Sequence, residues 1–408
     1  MWFKISYCIY LIISLFYATV PLVGPLSIRH VFTLFMLFAC FTEGGLKLDK
    51  FLKWYLVFLF FYTLVEVATG FALFVITKLL GTYLASIALY MATKIMIKKY
   101  DAGGLIIKVL VIAGIVNSIV AIGQFYGISI AELIPEALHI TLSEEELELL
   151  DRENFHGYNV GGLLGAVCSG YFLSATAVLA LYNKNNKISV FNWAAFVVIF
   201  FALFLVQERS GLAAGFLCAF LFLVVFSIRN KNTLIYSILI LVAIAFIIVY
   251  VGSRYISYEE MRYTTKGLED SGRTGYFFTS LIWVFSQSPL GGANYFYSQG
   301  GYYPHNIIAN ALLYGGIFGG TVLICILIAQ LVKIGRVFLS YIKGKKYPVL
   351  LIVSCAAYLS YTINSFFHNT SLVFASETIF LLWAMITSLI EKEKRKLLKR
   401  RLLKRKLL

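Results

Sequence analysis

Residues 190–228 read VFNWAAFVVIFFALFLVQERSGLAAGFLCAFLFLVVFSI. Two apolar runs, Val190–Val206 and Leu212–Ile228, meet at Glu208-Arg209-Ser210-Gly211 with almost no loop between them. Runs of roughly 17–25 apolar residues are long enough to cross a bilayer as helices. A guanidinium caught between two such runs is held at the rim of the bundle. Charge in that position is expensive, and it is retained where it has work to do.

The pattern repeats outward in both directions. Further apolar runs are Ile5–Leu22, Ile28–Phe41, Phe51–Thr69, Leu73–Met96, Leu105–Gly127 and Val160–Leu181 before it. Leu234–Val251, Ile307–Val332, Val349–Phe366 and Leu372–Ile390 follow it. The chain is 60% hydrophobic and 13% charged, about half the charge of an ordinary soluble domain. These observations predict an all-α, polytopic membrane protein of about twelve transmembrane helices. Met1–Leu22 resembles a signal peptide but lacks a small-x-small cleavage site, and so reads as a first span.

Lysine and arginine set the expected orientation. Basic connections alternate along the chain: Lys47–Lys53, Lys98 and Lys99, Lys184–Lys187, Arg229–Lys231 and Lys333–Lys346. Both termini fall on that side, which predicts cytoplasmic termini. The two longest connections then face outward: Ile128–Asn159, with its acidic run Glu144–Glu153, and Gly252–Pro304. The expected organisation is helices 1–9 in residues 1–251 and a large external loop, 252–304, between the ninth and tenth helices. Helices 10–12 follow in 305–390, and then a basic cytoplasmic tail, 391–408. Within the loop, Thr274–Ser288 with Trp283 reads as a short amphipathic helix lying over the bundle.

Net charge is +15, and the tail alone carries ten Lys or Arg against two Glu. Its Leu-Leu-Lys-Arg repeat steps by five residues and puts the leucines on no single face. It reads as an anchor on anionic membrane lipids or a disordered end. No folded basic module is present, so nucleic acid is not an expected partner. The six cysteines are far apart in apolar runs and read as small buried hydrophobes.

At membrane depth, Arg29, His30, Glu66, Lys78, Glu208 and Arg209 all fall near the expected external ends. Together they predict a polar cavity opening outward. Arg29 and His30 also fit plain headgroup-level positions, and Glu66 and Lys78 fit a pair across a short turn.

The stretch from Ser271 carries Ser271-Gly-Arg273-Thr-Gly275, Trp283, Ser288-Pro-Leu-Gly-Gly292, Tyr303-Pro-His305-Asn306 and Gly315-Gly-Ile-Phe-Gly-Gly320. In order and spacing it resembles the O-antigen ligase and Wzy-type polymerase family. There an Arg opens the large external loop, a Trp and a Pro-Leu-x-Gly turn follow, and a His-Asn pair starts the next span. Glu208-Arg209-Ser210-Gly211 is similar to the family's Arg-containing span junction.

The resemblance implies a bacterial inner-membrane enzyme with its active site on the external side. Its donor would be a polyprenyl-diphosphate-linked oligosaccharide, and its acceptor a glycan or a lipid. Polymerisation of surface polysaccharide repeat units is the leading expectation, ligation to a lipid or other acceptor the alternative. A twelve-helix transporter or lipid-linked oligosaccharide flippase is the rival from another class.

The chemistry points the same way. A leaving diphosphate needs positive charge. The four Asp (Asp49, Asp101, Asp151, Asp270) are scattered, so neither a carboxylate-bound metal nor another cofactor is expected. Arginine, always charged and bidentate toward phosphate, is the natural substitute. Arg209, Arg273 and His305 are the expected catalytic residues, His305 exchanging a proton with the acceptor hydroxyl. Arg254, Arg262, Lys78, Asn306 and Trp283 are expected to bind substrate. His368 competes with His305, and a cation site of His139 and His156 with the acidic run is a minor alternative. Gly315, Gly316, Gly319 and Gly320 read as close-packing positions. Tyr295, Tyr297, Tyr302 and Tyr303 fit either sugar stacking or an interfacial belt.

Overall fold

The computed structural model describes residues 2–16, 21–23, 26–44, 48–137, 162–164, 166–183, 188–206, 209–228, 235, 239–243, 246, 250, 273–302, 304, 306–367 and 376–407. They form a helical bundle with one short antiparallel strand pair, β1 (Pro21–Val23) and β2 (Leu26–Ser27). The helices are α1 (Trp2–Phe16), α2 (Ile28–Gly44), α3 (Lys50–Ala68), α4 (Ala72–Lys78), α5 (Leu84–Tyr100), α6 (Gly103–Phe125), α7 (Ser129–Ala137) and α8 (Ala166–Ala180). Then come α9 (Val190–Leu205), α10 (Arg209–Ser227), α11 (Arg273–Ser286), α12 (Ala293–Ser298), α13 (Ile307–Ile342), α14 (Val349–Ser365) and α15 (Glu377–Leu407).

Among the described residues, α3, α6, α10 and α13 are long and apolar enough to cross a membrane, and α1, α8, α9 and α14 are shorter apolar helices. Large apolar side chains such as Phe38, Trp54, Phe60, Ile112, Ile119, Leu217 and Phe318 are exposed on the helices' outward faces. In water such a surface would aggregate; in lipid it is the natural exterior.

Helix starts are capped where the sequence supplies short polar residues. Asp49 accepts from Leu52 N at the start of α3, Ser189 and Asn192 form a capping box on α9, and Asn306 caps α13. The centre is α8 packed between α6, α9, α10 and α14, with α14 also packed on α10 and α15. Small residues make this close approach feasible. The hydroxyls of Ser354, Thr362, Ser365 and Thr176 donate to carbonyls of their own helices at 2.7–2.9 Å. They present compact surfaces and need no partner across the interface.

The two ends of the bundle differ chemically. At one end Lys94 pairs with Asp49, Lys99 with Glu43, Lys98 with Glu391 and Lys392 with Asp101. These residues belong to the basic connections and the tail. The opposite end holds the starts of α2, α10, α13 and α15 and the ends of α3, α6 and α14.

Several expectations change in the structure. The Leu73–Met96 run is interrupted by a π-helical turn, Leu79–Tyr83, that sets Tyr83 among Tyr55, Phe58 and Tyr62. Within the Val160–Leu181 run, 162–164 is a turn and α8 begins at Ala166. The tail is helical, because α15 continues without a break through Leu407. Its leucines 397, 398 and 402 are exposed, as a five-residue step requires. Cys325 is exposed and so departs from the other buried or half-buried thiols.

The largest change is in the Ile307–Val332 run, read from sequence as one crossing. At Gly316 the backbone is non-helical (φ 62°, ψ −167°). An added Cβ on Gly320 would meet Ala311 O at 2.7 Å and Leu312 Cα at 2.8 Å. Residues nine apart on a straight helix are ~13 Å apart along its axis, so the chain doubles back. Ile307 accordingly lines the same crevice as Leu323, Ile326 and Leu327. The first limb, 307–315, packs back beside the second, 317–342, which is by itself long enough to cross a membrane.

Gly315 and Gly319 do pack closely, against Phe58 and Phe61 of α3. Gly316 has a different role. A Cβ there would fall 2.2 Å from Leu290 C and O, so only glycine admits the Pro289–Gly292 turn. That turn is tied in by Ile317 N donating to Pro289 O (2.8 Å) and Gly292 N donating to Leu313 O (2.9 Å).

Helix α11 packs on the bundle through α13. Its start is held by Tyr276 stacked on Tyr302 (4.7 Å) and its end by the turn at Gly316. It runs alongside the first limb of α13, burying Trp283 and Val284 with Leu312 and Leu313.

Candidate functional site

The site is assembled at the lysine-poor end by three contacts. Asn306 Nδ2 donates to Phe366 O at 3.2 Å, joining the start of α13 to the end of α14. Gly211, in the first turn of α10, sits against Gly170 O and Asn364 Nδ2, where a Cβ would lie 3.0 and 3.3 Å away. The stacked Tyr276 and Tyr302 bring the start of α11 to the segment preceding α13. Two helix N-termini, those of α10 and α13, thus gather around the end of α14. Helix starts carry unpaired N–H groups and the positive end of the helix dipole.

The expected site residues fall into this frame as follows. Arg209 opens α10, so its backbone stands at the gathered ends, and Arg273 opens α11; both side chains lie outside the described residues. His305 lies outside them too, between buried Pro304 and the cap residue Asn306. Arg254, Arg262, Glu208, His368, His139, His156, Tyr303 and the acidic run are likewise outside. Lys78 ends α4, with its side chain outside the described residues.

Two of the expected substrate-binding residues have partners within the fold. Asn306 Oδ1 accepts from Ile308 N (2.8 Å) and Ala309 N (3.4 Å), and its Nδ2 holds α14. Its amide therefore positions the helix start. Trp283 is buried against Phe296, ring centres 5.0 Å apart, and pins α11 and α12 to the first limb of α13.

The charges at depth are paired differently from the sequence expectation. Glu66 is fully buried and accepts from Asn294 Nδ2 at 2.9 Å and Asn294 N at 3.3 Å. Arg29 is buried in an ion pair with Glu377 at the start of α15. His30 Nδ1 accepts from Ser27 N at 2.9 Å.

Sequence reasoning missed the most telling side chains. Asn310 and Asn364 are fully buried, and among the described residues neither the amide nitrogen nor the amide oxygen of either has a hydrogen-bond partner. The buried hydroxyl of Ser210 is also without one. Asn310 is one helical turn beyond Asn306, on the same face of the limb. Asn364 is two residues before Phe366 and touches Gly211. An unpaired buried amide costs about 1–3 kcal/mol per group, so such groups are kept for a reason. The available signal was an Asn inside an apolar run, at Asn310 and Asn364, which the basic and aromatic residues overshadowed.

No protein-family model matches the chain, and no curated protein or solved structure matches it either.

Proposed function

We propose that the chain is a membrane glycosyltransferase that takes a polyprenyl-diphosphate-linked oligosaccharide as donor, on the outer side of a bacterial inner membrane. It polymerises repeat units of a surface polysaccharide; ligation of the glycan to a lipid or other acceptor is the alternative. About twelve helices cross the membrane, with both termini in the cytoplasm.

The observation that supports this most is the gathering of the α10 and α13 starts around the end of α14. That arrangement brings the backbone of Arg209 and the residues flanking His305 to one polar place in an apolar bundle. Aligned helix starts and arginines suit a diphosphate leaving group. An imidazole beside them suits deprotonation or orientation of the acceptor hydroxyl. In this mechanism Arg209 and Arg273 hold the diphosphate as the C1–O bond breaks. The acceptor oxygen forms the new bond at C1 with inversion, and its proton passes to His305.

Reconstitution of the purified protein with lipid-linked donor and acceptor tests the reading. His305→Ala should insert normally and abolish transfer, and Arg209→Met or Arg273→Met should weaken donor use. New glycosidic bonds identify the transferase. Movement of donor across the membrane without new bonds would instead establish the flippase class.

A further inference from the structure

We infer that Asn310, Asn364 and Ser210 form a carbohydrate subsite, distinct from the groups that hold the diphosphate. The inference rests on the function proposed above and adds which residues meet the sugar.

The argument is one of hydrogen-bond chemistry. A diphosphate offers only acceptors, so it is matched by N–H groups and guanidinium and repelled by an amide oxygen. A sugar ring offers hydroxyls that both donate and accept. A carboxamide, with one acceptor and two donor hydrogens, meets a pair of neighbouring hydroxyls with both its atoms. Asn310 and Asn364 each leave both amide atoms unpaired, and Ser210 adds a hydroxyl at the same end. Nearby polar side chains are differently disposed: Asn306 is engaged in its cap and Glu66 is held by Asn294.

Their spacing also fits. Asn310 lies one turn from Asn306, and Asn364 two residues from its partner Phe366. Along the bundle axis the backbones of the two residues are then offset by about 9 Å or less, on the scale of one to two sugar rings. Both are enclosed in this closed arrangement, so the outer ends of α10, α13 and α14 must part to admit the ring. Asn306 Nδ2 to Phe366 O is the contact that opening breaks.

The experiment uses the full-length protein in detergent, with thermal unfolding as readout and two separate probes. The first is inorganic pyrophosphate, the second a panel of methyl glycosides of common bacterial sugars. In the wild type, pyrophosphate and at least one glycoside should each raise the midpoint. Asn310→Leu and Asn364→Leu should weaken the glycoside response about tenfold or more and leave the pyrophosphate response intact. Arg209→Met should do the reverse. If the Leu variants keep the glycoside response, or no glycoside stabilises the wild type, the sugar subsite is refuted. If pyrophosphate fails to stabilise the wild type, the diphosphate-transferase reading fails, whatever the glycosides do. The Leu variants remove unpaired amides at nearly constant volume, so they should fold; an unchanged basal midpoint or a higher one verifies it.

Discussion

Replacing Gly316 by alanine should release the Pro289–Gly292 turn from the broken helix while leaving the central bundle intact. At φ 62° and ψ −167° the residue occupies a region open essentially to glycine, which costs any other residue about 1–3 kcal/mol. The new methyl would also fall 2.2 Å from Leu290 C and O. These are backbone atoms, which cannot rotate aside, so the turn must move. Two hydrogen bonds would go with it, Ile317 N to Pro289 O and Gly292 N to Leu313 O. Each contributes about 0.5–1.5 kcal/mol net.

Together these effects amount to about 2–6 kcal/mol against the docked turn, or roughly a thirtyfold to twenty-thousandfold shift toward its undocked form. Hydrogen exchange followed by mass spectrometry reads this locally. Amides of Gly292 and Ile317 should exchange faster, while those in the middle of α14, which packs on α8, should not change. Unaltered protection at Gly292 and Ile317 would refute both the doubled-back path of α13 and the glycine requirement behind it.

Asn310→Leu and Asn364→Leu should each raise thermal stability by about 1–3 kcal/mol, since each removes an unpaired buried amide, and should lower transferase activity; scanning calorimetry beside the transfer assay measures both signs. Gly162→Ala should destabilise the turn ahead of α8. Gly162 has φ +61° and its Cβ would lie 2.5 Å from Asn117 Oδ1, the atom that accepts from Leu163 N at 2.7 Å; faster proteolysis near 160–165 would reveal it. At the lysine-rich end, burial raises the Asp49 carboxyl, but hydrogen bonds from Lys94, Tyr90 and Leu52 outweigh it and hold the group below the usual carboxylate range. The resulting stability is fully present above the unfolded value, about 3.9, and is lost as pH falls through the lower folded value. Asp49→Asn should therefore cost about 1–3 kcal/mol at neutral pH, discounted for a side chain 27% exposed, and should flatten the acid limb of a stability–pH curve.

The helical class and the membrane setting were legible in the sequence because each depends on composition summed over many residues. An apolar run such as Val190–Val206 is one whatever it packs against. The caps of α3, α9 and α13 are equally local, since Asp49, Ser189 and Asn306 each act within one turn, but the apolar runs alone did not single them out. Arg209 at a helix start followed from the missing loop between two runs. What the sequence could not settle depends on partners distant along the chain. Gly316 belongs to a glycine-rich packing stripe until Leu290 arrives and requires a left-handed backbone there. Glu66 was expected to meet Lys78, but Asn294, brought by the docked turn, holds it. Arg29 meets Glu377 from the far end of the chain. Asn310 and Asn364 are ordinary polar interruptions of apolar runs until folding encloses them. Hydrogen-bond pairing and close approach are settled between side chains across space, and periodicity along one strand of sequence carries no record of them.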